Sequence, residues 1–322
     1  MSKIILSKER GKDVSDMRTA YCEAMIEMAE NDERIVALDA DLMTAMGMKP
    51  FAKKFPERTV DCGIQESNMI GVACGLSVWG KVPFAHTFGP FCTRRACDQI
   101  FMSGAYNRAN VKVVGSDPGI TAAYNGGTHM PFEDMGIMRG IPTMTVVEPT
   151  DIVMLKNLLP KIADQYGMFY MRLVRKGVRK VYEEGSEFEI GKAVKLSDGN
   201  DVTIIASGYC VAEALDAAEL LKAEGISARV LNMFTWKPLD EEAVLAAAAE
   251  TGAIVTAENH NVINGLGSAV SELLAKKNPT VMEMVGVQDE FGEVGPESYL
   301  RERFGLTAEY IAEAVRKVLK RK

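Results

Sequence analysis

Short apolar runs alternate along the first half of the chain with longer stretches in which apolar residues recur at helical spacing. Met17, Ala20, Met25 and Met28 have this spacing, which predicts a helix over 13–31. We predict further helices over 67–78, 90–106 and 152–165, and buried strands over 35–38, 59–62, 82–85, 111–114, 144–147 and 168–173. Continuous apolar strands separated by helices are typical of a mainly parallel sheet with helices on both faces.

The pattern changes between 176 and 199, where charged residues replace the aliphatic runs, and then it restarts. Strands are predicted over 202–206, 228–232, 253–257 and 280–284, with helices over 211–224, 241–250, 268–276 and 308–320. The sequence therefore predicts the α/β class with two doubly wound sheet domains. A larger domain covers 1–180, a linker covers 181–199, and a smaller, mainly parallel domain covers 200–322.

Composition and charge narrow the function further. The chain has 322 residues, enough for two cores, and its net charge of −7 disfavours nucleic acid and anionic lipid as partners. No apolar run reaches the length of a membrane span, and the N-terminus has no signal-peptide core. The six cysteines include no Cys-x-x-Cys pair, as expected of reduced thiols. These features predict a cytoplasmic protein with no membrane partner.

Glu66 stands at the junction between a predicted strand and the helix predicted over 67–78. A carboxylate at this place has two possible roles. It stabilises the positive end of the helix, or, if it is desolvated, it holds and exchanges a proton. The fragment by itself leaves both roles open.

Three further motifs could bind a ligand. Phe88 and Phe91 flank a Gly-Pro turn at a strand end, where rings stack on a planar heterocycle or simply pack in the core. His129 lies in the glycine-rich loop 124–130, which suits either proton transfer or a structural turn. The turn over 264–268 lacks the third glycine and the spaced acidic residue of a nucleotide site, so a packing turn is favoured.

In this order, the motifs resemble the pyrimidine-binding and C-terminal domains of transketolase, and the resemblance covers nearly the whole chain. In that family, the glutamate at the position of Glu66 hydrogen-bonds the aminopyrimidine ring of thiamine diphosphate and so assists its activation. Phe88 and Phe91 match the aromatics that pack on this ring, and His129 matches a histidine that assists proton transfers in the substrate channel. The resemblance implies an enzyme that transfers a two-carbon ketol unit between sugar phosphates.

The resemblance also assigns residues around the substrate. Arg18 and Arg175 match arginines that bind the sugar phosphate, to which a guanidinium donates paired hydrogen bonds. Asp41 matches an aspartate close to the cofactor, although a strand-end turn residue would look the same. Arg94 stands where the family often has an aromatic side chain near the pyrimidine, and both Arg94 and His86 are candidates to supply additional positive charge.

Several substrate positions depart from the family pattern. Asn125 replaces an aspartate that reads a sugar hydroxyl, and Gly127 replaces a proline. Ser116 or Asp117 stands in place of a phosphate-binding histidine, and an aspartate facing a phosphate would repel it. The departures leave the sugar open and allow an unusual pentose or hexose derivative.

The family's signature for the diphosphate and its metal ion, a Gly-Asp-Gly followed by Asn, is absent, and 197–200 matches its opening only superficially. In split transketolases a second subunit carries that domain. The resemblance therefore implies an N-terminal transketolase subunit as partner, which binds Mg²⁺ or Ca²⁺ and shares thiamine diphosphate with this chain. The implied assembly is a heterotetramer with two copies of each subunit.

Two alternatives to this reading stay open. In the first, the chain is a subunit of a related thiamine-diphosphate enzyme, similar to deoxyxylulose-phosphate synthase or to a 2-oxo-acid dehydrogenase. In the second, it is a non-catalytic interaction subunit that kept the fold. Arg18 and the Gly-Gly-Thr-His loop favour ketol transfer. His260 is interpreted as a structural residue whose hydrogen bonds are satisfied.

Overall fold

The computed structural model describes residues 3–13 and 15–322 of the chain. Its strands are β1 (Ile35–Asp39), β2 (Thr59–Asp61), β3 (Val82–Phe88), β4 (Lys112–Ser116), β5 (Thr145–Val147), β6 (Phe169–Leu173), β7 (Val194–Ser197), β8 (Val202–Ala206), β9 (Ala228–Asn232), β10 (Thr235–Lys237), β11 (Ala253–Asn261) and β12 (Val281–Val287). Its α-helices are α1 (Met17–Asn31), α2 (Lys49–Lys54), α3 (Glu66–Val78), α4 (Cys97–Gln99), α5 (Asp134–Gly140), α6 (Ile152–Asp164), α7 (Cys210–Ala223), α8 (Glu241–Thr251), α9 (Leu266–Lys277), α10 (Glu297–Arg303) and α11 (Ala308–Leu319). None of the helices that these residues form is long and apolar enough to cross a membrane.

Seven strands form the first sheet, in the order β10-β5-β6-β4-β3-β1-β2. All neighbours are parallel except β10, which pairs antiparallel with β5. Parallel strands need crossover connections, and the helices between them provide these connections. Because β10 comes from the second half of the chain, residues beyond the predicted linker complete the larger sheet.

Five strands form the second sheet, in the order β12-β11-β8-β9-β7. Its neighbours are parallel except β7, which pairs antiparallel with β9 at the sheet edge. Strand β7 lies within 181–199, so the connector is shorter than the predicted linker. The sequence analysis did not predict this strand, because it lacks a continuous apolar run. Only alternate residues are buried at this edge: Val194 and Leu196 are buried, whereas Lys195 is exposed.

Successive strand residues face two different apolar layers. In β1, Ile35 packs in one layer with α1 and α6, whereas Val36 packs in the other layer with α3. The second sheet repeats this arrangement, with Ile204 in the first layer and Ile205 in the second. Helices on both faces of each sheet confirm the predicted doubly wound α/β class.

The predicted helix over 90–106 forms, but it is not a regular α-helix. It contains π-type turns at Phe91–Arg95 and Ile100–Tyr106 on either side of the short α4. Wide turns of this kind occur often at functional sites, because they re-aim the side chains that follow. The first π-type turn carries three residues of the candidate site described below.

A buried arginine links the two sheet domains. Arg172, on β6, is fully buried and donates to the carboxylates of Asp134 and Glu148 at 2.9 Å each. It also donates to the main-chain oxygen of Asn259, on β11, at 3.1 Å. A buried guanidinium needs such partners, because water is not there to solvate it. The contact fixes β11 of the second sheet against the end of β6.

His260, on β11, is a structural residue, as predicted. Its Nε2 accepts the N–H of Gly136 at 3.2 Å, while its Nδ1 lies 2.6 Å from the main-chain oxygen of Asn261. One ring nitrogen therefore accepts and the other donates, which is the pattern of a neutral imidazole. Burial lowers the pKa of His260 to about 4.

Candidate active site

Five of the predicted site residues follow the carboxyl ends of parallel strands in the first sheet. Asp41 follows β1, Glu66 follows β2, Phe88 ends β3, Asp117 follows β4 and Arg175 follows β6. The carboxyl ends of parallel strands meet at one edge of a sheet, where open α/β proteins bind ligands. The topology thus brings together side chains that are far apart in sequence.

Glu66 is the first residue of α3, as its place between a strand and a helix predicted. In the turn before it, Gly63 has a φ of +68°, a conformation that favours glycine. The carboxylate of Asp61 accepts the N–H groups of Gly63 and Asp41 at 2.9 and 3.0 Å, which holds the turn. The Glu66 side chain is only 1% exposed. The site therefore contains a carboxylate that is removed from water at a helix N-terminus.

Arg95 is the partner of Glu66, and sequence reasoning missed it. Its Nη1 donates to both carboxylate oxygens of Glu66, at 2.7 and 2.8 Å. Its guanidinium carbon also lies 4.4 Å from the centroid of the Phe91 ring, a cation–π contact. The only signal in the sequence is its position four residues after Phe91, which in a helical segment places both side chains on one face.

Three rings form the aromatic wall of the site. The centroids of Phe88 and Phe91 are 5.9 Å apart, and His129 lies 5.6 Å from the first and 5.1 Å from the second. Both contacts to His129 are edge-to-face, the favoured geometry for aromatic pairs. The glycine-rich loop therefore does bring its histidine against the two phenylalanines.

The loop that carries His129 is held by polar contacts. Nδ1 of His129 lies 2.9 Å from the hydroxyl oxygen of Thr128. Arg94 donates to the main-chain oxygen of Thr128 at 3.2 Å and pairs with Glu133 at 2.9 Å. Arg94 thus anchors the histidine loop to the first π-type turn, and Asn125 lies exposed in the same loop.

The two glycines of this loop allow a close approach, but to the second domain. A Cβ on Gly127 would lie 2.2 Å from the main-chain oxygen of Gly292, and a Cβ on Gly126 would lie 2.8 Å from Val294. Any larger residue at 127 would push the loop over 288–295 away. The second domain therefore supports the loop that carries His129.

Arg18 and Arg175 lie on neighbouring segments. The N–H of Met17, at the start of α1, donates to the main-chain oxygen of Lys176 at 3.1 Å. Arg18 donates to the main-chain oxygen of Ala45 at 2.9 Å. Two arginines predicted to bind one anionic group are thus brought to the same region by a main-chain hydrogen bond.

Asp117 is not free to repel an anionic substrate. Its Oδ1 lies 3.0 Å from Nε of Arg175, and its Oδ2 accepts the hydroxyl of Ser116 at 3.0 Å. Burial raises the pKa of Asp117, and the nearby Arg175 opposes that shift. The structure therefore corrects the expected repulsion: the charge of Asp117 is paired within the protein.

His86, a candidate to supply positive charge at the substrate, is buried in the structure. The side chain is 1% exposed, and its Nε2 lies 3.3 Å from Oδ2 of Asp39, which is equally buried. The two residues are register partners on β3 and β1, and the ring of Tyr21 packs edge-on against His86. All seven residues of β3 are buried, and His86 lies inside the fold beside Asp39.

Asp41 stays at the edge of the site. It is exposed, and its φ of +61° belongs to the left-handed region, which aspartate tolerates better than most residues. This conformation turns the chain after β1 and lets its N–H donate to Asp61 in the turn before Glu66. The structure therefore shows Asp41 as a turn residue next to the segment that carries Glu66.

The turn over 264–268 is a packing turn, as predicted. The N–H groups of Leu266 and Gly267, which would face a phosphate, donate to the carboxylate of Glu258 at 2.6 and 2.7 Å. A Cβ on Gly265 would lie 2.0 Å from that carboxylate. Burial raises the pKa of Glu258 to about 8. The protein's own side chain occupies the place of an anion.

The site suits the pyrimidine ring of thiamine diphosphate better than its charged end. A buried carboxylate and two phenylalanine rings offer a hydrogen-bond partner and stacking surfaces for a planar heterocycle. Over residues 3–13 and 15–322, no group of three or more His, Cys, Asp or Glu side chains is arranged to hold a metal ion.

Comparison with known proteins agrees with this division. The family "Transketolase, pyrimidine binding domain" matches residues 13–180, and "Transketolase, C-terminal domain" matches residues 191–311. The 6-deoxy-6-sulfo-D-fructose transketolase subunit of a Clostridium species is 54% identical over 95% of this chain and 95% of that protein. A putative transketolase C-terminal section from Methanocaldococcus jannaschii is 42% identical over 95% of this chain and 96% of that protein.

Among solved structures, a split gene transketolase described as an inactive β4 tetramer has a TM-score of 0.89 and 43% identity, over 96% of this chain and 99% of that one. The fold and the site thus define a protein of the thiamine-diphosphate-dependent class. The chain belongs to the transketolase family and comprises its pyrimidine-binding and C-terminal domains, which makes it a transketolase enzyme subunit.

Proposed function

We propose that this chain is one half of a two-chain transketolase that transfers a two-carbon ketol unit between sugars, and that a partner subunit completes its active site. One observation carries the proposal: the buried carboxylate of Glu66 is linked through Arg95 to a group of three rings that contact one another, Phe88, Phe91 and His129. Thiamine diphosphate, when bound, supplies the carbon nucleophile that accepts the ketol unit.

Glu66 and the three rings then each have a defined role. Glu66 holds the proton that it shares with a ring nitrogen of the aminopyrimidine, and its burial excludes water from that contact. Phe88 and Phe91 fix the plane of the ring. His129, held through Nδ1 by Thr128, uses Nε2 to move a proton at a sugar hydroxyl.

The substrate is proposed to be a ketose with an anionic terminal group, and a sulfonated sugar is the first candidate. A relative at 54% identity is named for a sulfo-fructose substrate. Arg18 and Arg175 would bind the terminal group, and Asp117 offsets one of these two charges. Asp16 lies 3.5 Å from Arg18, so each arginine has a carboxylate partner, and the choice of a sulfonate rests on the relative. A guanidinium donates paired hydrogen bonds to the oxygens of such a group.

The partner is proposed to cover one exposed apolar surface, which we call the α3 face. It comprises the outer side of α3 and the adjacent second π-type turn: Ile64, Gly71, Gly75, Val78, Trp79, Phe101, Met102 and Tyr106. Trp79 is 87% exposed, and a Cβ on either glycine would meet no atom within 4 Å. Exposed apolar patches mark interaction sites, and α3 begins at Glu66. A subunit that docks there would reach the catalytic carboxylate.

The proposed partner carries the diphosphate-binding domain and the Mg²⁺ or Ca²⁺ site, and the assembly is proposed to contain two copies of each chain. The match of this chain to the pyrimidine-binding and C-terminal domains supports this division. A cofactor shared between chains would bind only to the complex. Isothermal titration of thiamine diphosphate and Mg²⁺ into each chain alone, and into the mixture, measures this directly.

The deciding experiment compares Glu66→Gln with Glu272→Gln in the reconstituted complex. Glu272 also accepts a hydrogen bond from an arginine, Arg139, but on the surface of the second domain. We expect the first variant to lose about a hundredfold or more of the turnover with a ketose donor and an aldose acceptor, and the control to lose none. Unchanged turnover in Glu66→Gln would leave the non-catalytic interaction subunit as the better description.

The reaction itself is tested by products. Ketol transfer predicts a new ketose when a sulfonated or phosphorylated ketose is mixed with an aldose phosphate. A reaction like that of deoxyxylulose-phosphate synthase predicts a product from pyruvate and glyceraldehyde phosphate instead. Mass spectrometry of the two mixtures separates the reactions, because the second releases carbon dioxide.

A further inference from the structure

Arg95 makes both contacts that the proposed function assigns to the pyrimidine ring of the cofactor. Its Nη1 donates to both oxygens of Glu66 at 2.7 and 2.8 Å. Its guanidinium carbon lies 4.4 Å from the centroid of the Phe91 ring. The Arg95 side chain thus pairs with the carboxylate of Glu66 and covers the ring of Phe91 at the same time.

The match follows from shared chemistry. A guanidinium and an aminopyrimidine are both planar groups with nitrogens on either side of one carbon. A guanidinium donates N–H groups to a carboxylate, and an aminopyrimidine shares a proton with a carboxyl group through a ring nitrogen. Both groups stack on an aromatic ring. The two groups therefore compete for the same place, and only one of them can hold Glu66 at a time.

We infer that Arg95 is an internal competitor that occupies the pyrimidine subsite of the free chain and must withdraw before thiamine diphosphate can engage Glu66. This inference rests on the proposed function. It gives Arg95 control over cofactor entry without a place in the chemical step.

The structure shows how Arg95 can leave. Its side chain is 48% exposed, whereas Glu66 is 1% exposed, so the arginine can move into solvent while the carboxylate stays. The main chain is anchored separately, because the carbonyl oxygen of Arg95 accepts the hydroxyl of Ser67 at 3.1 Å. Only the flexible stem of the arginine needs to rotate. Its neighbour Arg94 is held by Glu133 and Thr128 and keeps the histidine loop in place.

Competition of this kind predicts a specific change in binding. When a site is available only part of the time, the apparent affinity falls by the available fraction, and removal of the competitor restores it. Arg95→Met keeps an apolar stem over Phe91 but cannot pair with Glu66. We expect it to lower the apparent dissociation constant of thiamine diphosphate in the reconstituted complex by about fivefold. The higher affinity should come from a faster association rate, because Arg95 must leave Glu66 before the cofactor binds.

A matched control is available in the same domain. Arg58 lies 4.1 Å from the centroid of the Phe55 ring and donates to the main-chain oxygen of Asp32, away from the site. Arg58→Met should leave cofactor binding unchanged. Arg95→Lys is the conservative variant, and it should bind the cofactor with intermediate affinity, because lysine keeps the charge but has no planar group to stack.

Isothermal titration and stopped-flow fluorescence on the complex measure the affinity and the association rate. If the wild-type complex binds thiamine diphosphate and Arg95→Met binds it no more tightly, the inference is wrong and the proposed function stands. If the wild-type complex does not bind thiamine diphosphate at all, the proposed function fails, and the inference fails with it.

Discussion

Arg175 and Asp117 form a half-buried ion pair at the substrate end of the site, with Nε of the arginine 3.0 Å from Oδ1 of the aspartate. Asp117 is 1% exposed and Arg175 is 18% exposed, so the carboxylate lies beneath the guanidinium. The guanidinium also lies 5.4 Å from the centroid of the Phe88 ring. The pair fixes the orientation of the arginine and leaves its terminal nitrogens for a ligand.

Arg175→Met should destabilise the chain strongly, because it leaves Asp117 buried without its counter-ion. Removal of one partner from a buried pair costs about 3 kcal/mol. Without Arg175, burial would raise the pKa of Asp117 further, so the folded state would keep a proton that the unfolded chain releases above about pH 3.9. The loss of stability should therefore be greatest at neutral pH and shrink as the pH falls toward 4. Urea unfolding at several pH values measures it.

The control for this prediction is Arg139→Met, whose partner Glu272 is 55% exposed. Loss of an exposed partner should cost less than about 1 kcal/mol. A pH-independent loss in Arg175→Met would contradict an unpaired Asp117 as the cause.

Gly127→Ala should disturb the histidine loop through the second domain. The new Cβ would lie 2.2 Å from the main-chain oxygen of Gly292, so the two segments must separate. Overpacking of this kind costs about 1–3 kcal/mol, and we expect turnover to fall with it because the same loop carries His129. Gly140→Ala is the matched control, since a Cβ there meets no atom within 4 Å. Thermal unfolding and steady-state turnover of both variants provide the comparison, and equal effects would argue against contact with Gly292 as the cause.

His260 should make the chain less stable in acid. Burial lowers its pKa to about 4, from an unfolded value of about 6.5. Between these values the unfolded chain binds a proton that the folded chain does not, so stability falls as the pH drops from about 6.5 to 4. The neighbouring Arg172 contributes to this shift, whereas Asp134 opposes it.

His260→Gln isolates this effect. The variant should be less stable than the wild type at pH 7, because a ring that accepts from Gly136 is lost. The difference in the free energy of unfolding between the two proteins should shrink by about 2 kcal/mol at pH 4.5, since glutamine does not titrate. Denaturant unfolding of both proteins at the two pH values tests the prediction. A constant difference would show that His260 binds a proton equally in the folded and unfolded chains, which would contradict the prediction.

Trp79→Glu should prevent assembly without unfolding the chain. The indole is 87% exposed on the α3 face, so its loss removes few contacts within the chain, whereas a buried charge in an interface is costly. Leu220→Glu, on the partly exposed side of α7 in the second domain, is the control. Size-exclusion chromatography with light scattering, on the chain with its partner, should show loss of the complex only for Trp79→Glu. Intact complexes of both variants would place the partner elsewhere.

Local patterns in the sequence were sufficient for ten of the twelve strands, for most of the longer helices and for the order of the site motifs. The strand over 202–206 and the strand over 228–232 were predicted with the bounds that the structure has, because buried parallel strands are continuous apolar runs. Glu66 at the start of α3 was predicted because a strand end and an apolar helix meet at that point. Strands β7 and β10 were missed, because each is a short, antiparallel edge strand with a polar or charged residue in its pattern.

The family and the fold class thus followed from the sequence alone, since they depend on residue type and on the order of the motifs. The resemblance in turn pointed to Glu66, Phe88, Phe91 and His129 as candidate site residues. Only the tertiary structure showed which side chains contact one another. It paired Arg95 with Glu66 and Arg175 with Asp117, it buried His86 against Asp39, and it set Gly127 against Gly292 of the second domain. These contacts join segments from different strand ends, and their distances depend on the register and packing of whole sheets, which no local pattern encodes.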